Sequence, residues 1–275
     1  NYTIFVAEIA STFNEHVLLD YFMNKPSTTK EEKIGLLQKA IDENCVDTYI
    51  ECFVGGANII DKIKCEERYG FDRSDTLIAL LKTAAEDFDK VMKDGSRELW
   101  DKGKEYVKNG KMPEDMTLAE IGAMEFFASY CNGGFPRGYA KNTETRNYYK
   151  EAYHNLEAQA PNLKGIIFKC QNYWELPDTV SHCVIYLDPP YQDTKFYGYA
   201  NQPKMDYNHF WNWVREISKN NYVFISEQAA PDDFKILWEQ DVKRTTNKEN
   251  NFKAVERLFT WEDGLYGTIL KERSI

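Results

Sequence analysis

The stretch Cys183-Val184-Ile185-Tyr186-Leu187-Asp188-Pro189-Pro190-Tyr191 decides how the rest of this chain is read. Its apolar, β-branched and aromatic run predicts a strand. The two prolines lack the N–H that further ladder pairing needs, so the strand ends at Asp188. A carboxylate and an aromatic ring are thereby set at the carboxyl end of a sheet strand, the edge at which open α/β sheets bind ligands.

Working outward, the segment 46–53 predicts an earlier strand that runs into Gly55-Gly56 and then a helix over 58–64. A strand, a glycine turn and a helix in succession open a nucleotide-binding unit. The stretch 69–72 predicts a second strand tip with an acidic end, followed by a helix from Ser74 to about residue 93 and further helices over 96–130. Residues 131–150 mix glycine, aromatic and basic side chains without a period and predict an exposed functional loop. A helix over about 147–159 follows, then strands at 165–170, 183–187 and 222–226, with a helix over about 206–219 before the last and strand character again at 254–261. The alternation predicts a three-layer α/β sheet.

The N-terminal part differs. Ile4, Phe5, Ile9, Phe13, Val17, Leu18, Tyr21 and Phe22 recur near helical spacing, and a capping box of Thr28 and Glu31 opens a second helix, so residues 1–43 predict a helical hairpin.

Composition bounds the function. At 275 residues with 43% hydrophobic and 15% aromatic side chains, the chain can bury a large core. Without a run of 18 apolar residues or a signal-peptide pattern, a soluble cytoplasmic protein with no membrane partner is expected. The six cysteines (Cys45, Cys52, Cys65, Cys131, Cys170 and Cys183) include no C-x-x-C pair, which argues against a disulfide framework and a structural zinc site. A net charge of −10 means that any nucleic-acid contact must come from a local basic patch.

Glu51, Phe53 and Gly55 in Tyr49-Ile50-Glu51-Cys52-Phe53-Val54-Gly55-Gly56, with Asp72, Asn172-Tyr173 and Asp188-Pro189-Pro190-Tyr191 in that order, resemble the Dam-like adenine-N6 DNA methyltransferases. The resemblance covers about 44–275 and implies a Rossmann-like methyltransferase sheet with an inserted helical DNA-recognition region at about 75–160. It implies S-adenosylmethionine as cofactor, bound by Glu51, Phe53, Gly55, Asp72, Asn172, Tyr173 and Asp188. Asp72 would hold the ribose hydroxyls, and Asn172 would accept from the adenine amino group. It also implies that Asp188 and the Pro189 carbonyl accept the hydrogens of a flipped adenine's amine while Tyr191 stacks on the base, with Pro190 completing the catalytic turn. Double-stranded DNA is the implied partner, contacted by Arg137, Tyr139, Lys141 and Arg146, with Ser226 and Glu227 bordering the base pocket. A monomer of bacterial or phage origin is expected. The sequence departs from the family pattern at Cys52, Ala57 and Asn172, and it lacks an N-terminal P-G-G-K-type motif.

Residues 2–15 resemble part of the oligoendopeptidase F (thimet-type) zinc peptidases, with Glu8 at a zinc-ligand position. His16, His154, His182 and His209 form no H-E-x-x-H pair, so neither a metal site nor peptidase activity is expected. A cytosine-N4 methyltransferase, a catalytically impaired DNA-binding remnant and a fragment of a fused oligopeptidase stay open as alternatives.

Overall fold

The computed structural model describes residues 29–130, 133–192, 205–243 and 253–273. Its frame is a sheet of β1 (Thr48–Glu51), β2 (Glu67–Asp72), β3 (Ile166–Cys170), β4 (Val184–Leu187), β5 (Tyr222–Glu227), β6 (Phe234–Lys243) and β7 (Lys253–Trp261). The strand order is β3-β2-β1-β4-β5-β7-β6. Strands β3, β2, β1, β4 and β5 are parallel, whereas β7 runs antiparallel to β5 and β6 antiparallel to β7. This is a doubly wound sheet whose order reverses between β1 and β4.

Side-chain alternation divides two cores between the sheet faces. On β4, Val184 and Tyr186 enter one core while Ile185 and Leu187 enter the other; on β5, Tyr222 and Phe224 oppose Val223 and Ile225. The first face is covered by α1 (Thr29–Glu43), α2 (Asp75–Glu86) and α5 (Tyr148–Leu163), and the second by α6 (Tyr207–Ser218), whose Phe210, Trp211, Val214 and Ile217 are buried. Such double coverage explains why β4 and β5 are apolar without a polar face.

Between β2 and β3 the chain forms α2, α3 (Arg97–Asn109), α4 (Leu118–Phe127) and α5. Local chemistry sets their ends. Ser74 Oγ accepts from Leu77 N, Ser96 Oγ from Leu99 N, and Thr117 and Glu120 form a reciprocal capping box. Gly110 ends α3 in the left-handed region at φ 71°. Gly122 lets α4 close on α2, because a Cβ there would collide with the Thr76 carbonyl.

Three expectations need correction. No helix forms over 58–64; the segment is a chain of turns. The Ile60 amide is taken by the buried Glu51 carboxylate (3.1 Å) and Ala57 is left-handed at φ 57°, so a single turn closes, Asp61 N on Ala57 O at 3.3 Å, and does not propagate into a helix. Ile59, Ile60 and Ile63 still bury their side chains and serve as the cover a crossover helix would supply. The helix beginning at Ser74 stops at Glu86 and is followed by a short 3-10 turn, Phe88–Lys90. Nor is the part of the presumed leader within α1 a separate unit: Leu37, Ala40 and Ile41 lie in the core of the sheet domain. The Thr28 cap and the helix over 3–23 fall outside the described residues. Strand β6 and α7 (Leu265–Glu272) were not predicted from the sequence.

Candidate active site

The parallel register brings the carboxyl ends of the strands into a row. Glu51 of β1 lies opposite Tyr186 of β4, so Asp188, two residues on, follows directly from the tip of β4 beside the turn that leaves β1. Asp72, the last residue of β2, is in register with Cys170, the last of β3, from which the chain reaches Asn172. The row thus carries Asn172, Asp72, the Phe53–Ala57 turn, Asp188 and the Ser226-Glu227 tip of β5, and it crosses the β1/β4 reversal where doubly wound sheets hold their ligands.

The turn after β1 is braced from several sides. Asp72 accepts from Gly55 N (3.2 Å) and Ser74 N (3.0 Å), tying the β2 tip to the glycine turn. Burial raises the Asp72 carboxyl above its ordinary value, an effect the two amides oppose. Gln159 of α5 donates to the Gly56 and Ala57 carbonyls at 3.0 Å each. Beneath, Glu51 accepts from Tyr49 Oη (3.3 Å) as well as from Ile60 N. Burial first, and then the charge of Asp188, holds the Glu51 carboxyl well above the usual carboxylate range.

The Asp188-Pro189-Pro190-Tyr191 turn is pinned on both sides. Tyr191 Oη contacts Ser226 Oγ (3.2 Å) and donates to Glu256 Oε1 (3.4 Å), Gln192 N donates to Glu227 Oε2 (3.1 Å), and Tyr207 Oη of α6 donates to the Pro190 carbonyl. Burial, then the Asp188 charge, pushes the Tyr191 and Tyr186 phenols well up. Lys33 of α1, only 4% exposed, donates to Ser226 Oγ (2.8 Å) and pairs with Glu256. A lysine of α1 therefore meets the two partners of the Tyr191 hydroxyl, although no P-G-G-K motif announces it. Lys33 stands among Lys30, Glu31 and Glu32 in a charged helix, and nothing local separates it from the solvated Glu31 and Glu32.

Of the other expected positions, Phe53 is half-buried and packs on Tyr173 (ring centroids 5.5 Å). Tyr173 itself is only 4% exposed, enclosed by Phe53, Phe210 and Trp213, with its hydroxyl 3.0 Å from His209 Nδ1; burial and then Asp206 raise that phenol to about 12. The neighbouring Trp174 is the exposed aromatic at this tip, at 49%. Asn172 turns its amide nitrogen and backbone N–H onto Glu175 Oε2.

The basic loop is more ordered than an exposed loop implies. Tyr130 N donates to Gly138 O (2.9 Å), Ala140 N to Ala128 O (2.8 Å) and Tyr148 N to Asn142 Oδ1 (3.1 Å). Phe135, Ala140 and Tyr149 are buried because their apolar surface packs against the helices. Tyr139 leans on Trp100 (5.8 Å) below the Arg97 guanidinium. Arg137 is half-buried and Lys141 exposed; Arg146 is exposed, grips both Glu151 oxygens (2.9 Å) and lies over the Tyr148 ring at 4.6 Å.

Residues 29–255 match the family described as D12 class N6 adenine-specific DNA methyltransferases. The match starts at the first residue of α1, and the likeness of the leader to a zinc peptidase finds no support. Among the described residues no three His, Cys, Asp or Glu side chains gather as a metal site. No curated protein matches the sequence. Two solved structures of the rRNA methyltransferase aviRa from Streptomyces viridochromogenes align over 87% of this chain and 87% of their own, at 9% and 8% identity with TM-scores of 0.40 and 0.36. Likeness of that degree adds nothing to the strand order itself. Among the described residues no helix is long and apolar enough to cross a membrane.

Proposed function

The chain belongs to the D12 class N6 adenine-specific DNA methyltransferases, and from that premise we propose that the row of strand tips takes S-adenosylmethionine beside a flipped adenine of double-stranded DNA. The enzyme methylates adenine N6 in DNA. The observation that carries the assignment of this site is the placement of Asp188 at the β4 tip, beside the glycine turn of β1 and across the reversal in strand order.

The residues present fit the donor. Asp72 uses two acceptor positions on backbone amides and, as a carboxylate, has further lone pairs for vicinal hydroxyls. Gly55, at φ 46°, opens the turn for close approach of a ligand to the backbone. Phe53, with Tyr173 behind it, supplies an aromatic wall, and Glu51 and Asn172 complete the expected contacts. When bound, the donor supplies an electrophilic methyl group on a sulfonium.

Asp188 and the Pro189 carbonyl act on the other reactant. The adenine amine is a weak nucleophile because its lone pair is delocalised into the ring. Two acceptors aimed at its hydrogens favour a pyramidal nitrogen whose lone pair is free to attack, and positioning with electrostatics supplies the rate. Tyr191, anchored by its hydroxyl, stacks against the base, since the target nitrogen is out of reach inside a duplex. The pins on Pro190, Tyr191 and Gln192 hold this geometry before substrate arrives. Arg137, Lys141 and Arg146 contact the phosphates and Tyr139 supports them.

The test is labelled-methyl transfer from S-adenosylmethionine to duplex DNA, with nucleosides resolved by mass spectrometry. N6-methyladenine is expected. Label on cytosine, or a chain that takes up no cofactor in calorimetry, overturns the reading.

A further inference from the structure

We propose that Gln159, near the carboxyl end of α5, is a positioning residue for the methyl donor: its amide holds the Gly55-Gly56-Ala57 turn in the shape that receives the cofactor. The inference rests on the reading that S-adenosylmethionine sits against this turn.

The turn is held by unusual means. Gly55 and Ala57 are both at positive φ, 46° and 57°, and an alanine avoids this region because its Cβ crowds the following carbonyl oxygen. No helix follows to fix the backbone. Its amides are taken by neighbours in the same corner: Val54 N donates to Phe71 O (2.9 Å), Gly55 N to Asp72, and Ala57 N to Val54 O (2.7 Å). The Ala57 carbonyl accepts locally from Asp61 N (3.3 Å), and both it and the Gly56 carbonyl are also met from far along the chain. Gln159, only 6% exposed, places Nε2 at 3.0 Å from each, across more than a hundred residues of sequence.

Two acceptors on one planar amide fix two successive carbonyl groups, and so the tilt of the peptide between Gly56 and Ala57. Buried carbonyls without a donor are costly, so the Gln159 amide favours the conformation that points both of them at α5. That conformation leaves the opposite side of the turn, toward Asp72 and Phe53, for the donor. The glutamine therefore does for Ala57 part of what the backbone freedom of glycine would do, and it does so from a helix that begins two residues after Arg146.

Replacing Gln159 by methionine keeps the buried volume and removes the donor. We expect Gln159→Met to raise both the calorimetric Kd and the KM for S-adenosylmethionine about tenfold, or 1.4 kcal/mol, while kcat changes less than about twofold. Ala57→Gly removes the Cβ conflict, and in that background the same change is expected to cost less than about threefold. A purely structural glutamine would lower Tm without this split and without rescue. Should Gln159→Met fail to fold, Gln159→Asn withdraws the amide by one methylene and carries the same expectation. Wild-type binding together with a Kd within twofold of it in the variant, or an equal loss in both backgrounds, overturns the proposal alone. A wild-type chain that does not bind the cofactor overturns the parent reading with it.

Discussion

The strand-tip row and the basic loop over 133–147 are both irregular backbone between regular elements, yet they are held in opposite ways. At the row, buried polar groups meet partners distant in sequence: Lys33 with Ser226, Gln159 with Gly56, Asp72 with Gly55. In the loop, Phe135 and Ala140 anchor the backbone, but Lys141 and Arg146 stay in solvent, and the exposed Arg146 pairs with Glu151 five residues on. The difference suits the two tasks proposed for them. Methyl transfer needs acceptors fixed before the base arrives, whereas contact with phosphates needs cations that leave weak surface pairs at little cost.

Substitutions can break or sharpen that contrast. The largest effect is expected at Asp188, where Asp188→Ala should lower kcat for methyl transfer by about a thousandfold while Tm changes little. A variant that keeps a tenth of the activity would move the chemistry elsewhere in the row. Next comes Lys33→Met, which leaves Glu256 without its cation and Tyr191 with a loosened anchor. About 2 kcal/mol of stability should be lost in denaturant unfolding, allowing for the partial exposure of Glu256, and kcat should fall with it.

Glu51 tests the row through pH. Its folded-state pKa is raised, so below the unfolded value of about 4.3 the carboxyl is protonated in both states and its contribution is fully present. As pH rises past that value the unfolded chain ionises while the fold resists, and stability is lost until the folded pKa is passed. Glu51→Gln should therefore raise Tm at pH 8 and leave it nearly unchanged at pH 4; equal shifts at both would contradict the burial argument. The smallest effect is expected in the loop. Arg146→Ala should lower the slope of log Kd for DNA against log salt by about 0.9 with no change in cofactor Kd, and a change in cofactor Kd instead would erase the distinction between the two regions.

Legibility in the sequence follows the same division. Strands β2, β4 and β5 and their tips lie where the sequence predicts them, because apolar runs, prolines and an acidic end act within a few residues. The absence of a helix over 58–64 is not legible locally, because the contact of Ile60 N with Glu51 depends on a buried carboxylate outside the segment. Strand β6 is not legible locally because its run Phe234–Lys243 mixes acidic, basic and aromatic residues on an edge strand whose apolar positions do not alternate cleanly.

The sequence by itself determined that Asp188 and Tyr191 end a buried strand behind a glycine turn and an acidic tip, since those constraints are steric and local. Only the tertiary structure decided that Lys33 of α1 meets Ser226 and Glu256, the partners of Tyr191, and that Gln159 of α5 grips the turn after β1. Both contacts join side chains whose local surroundings are those of ordinary helix residues, and only burial against a partner far along the chain gives them a role.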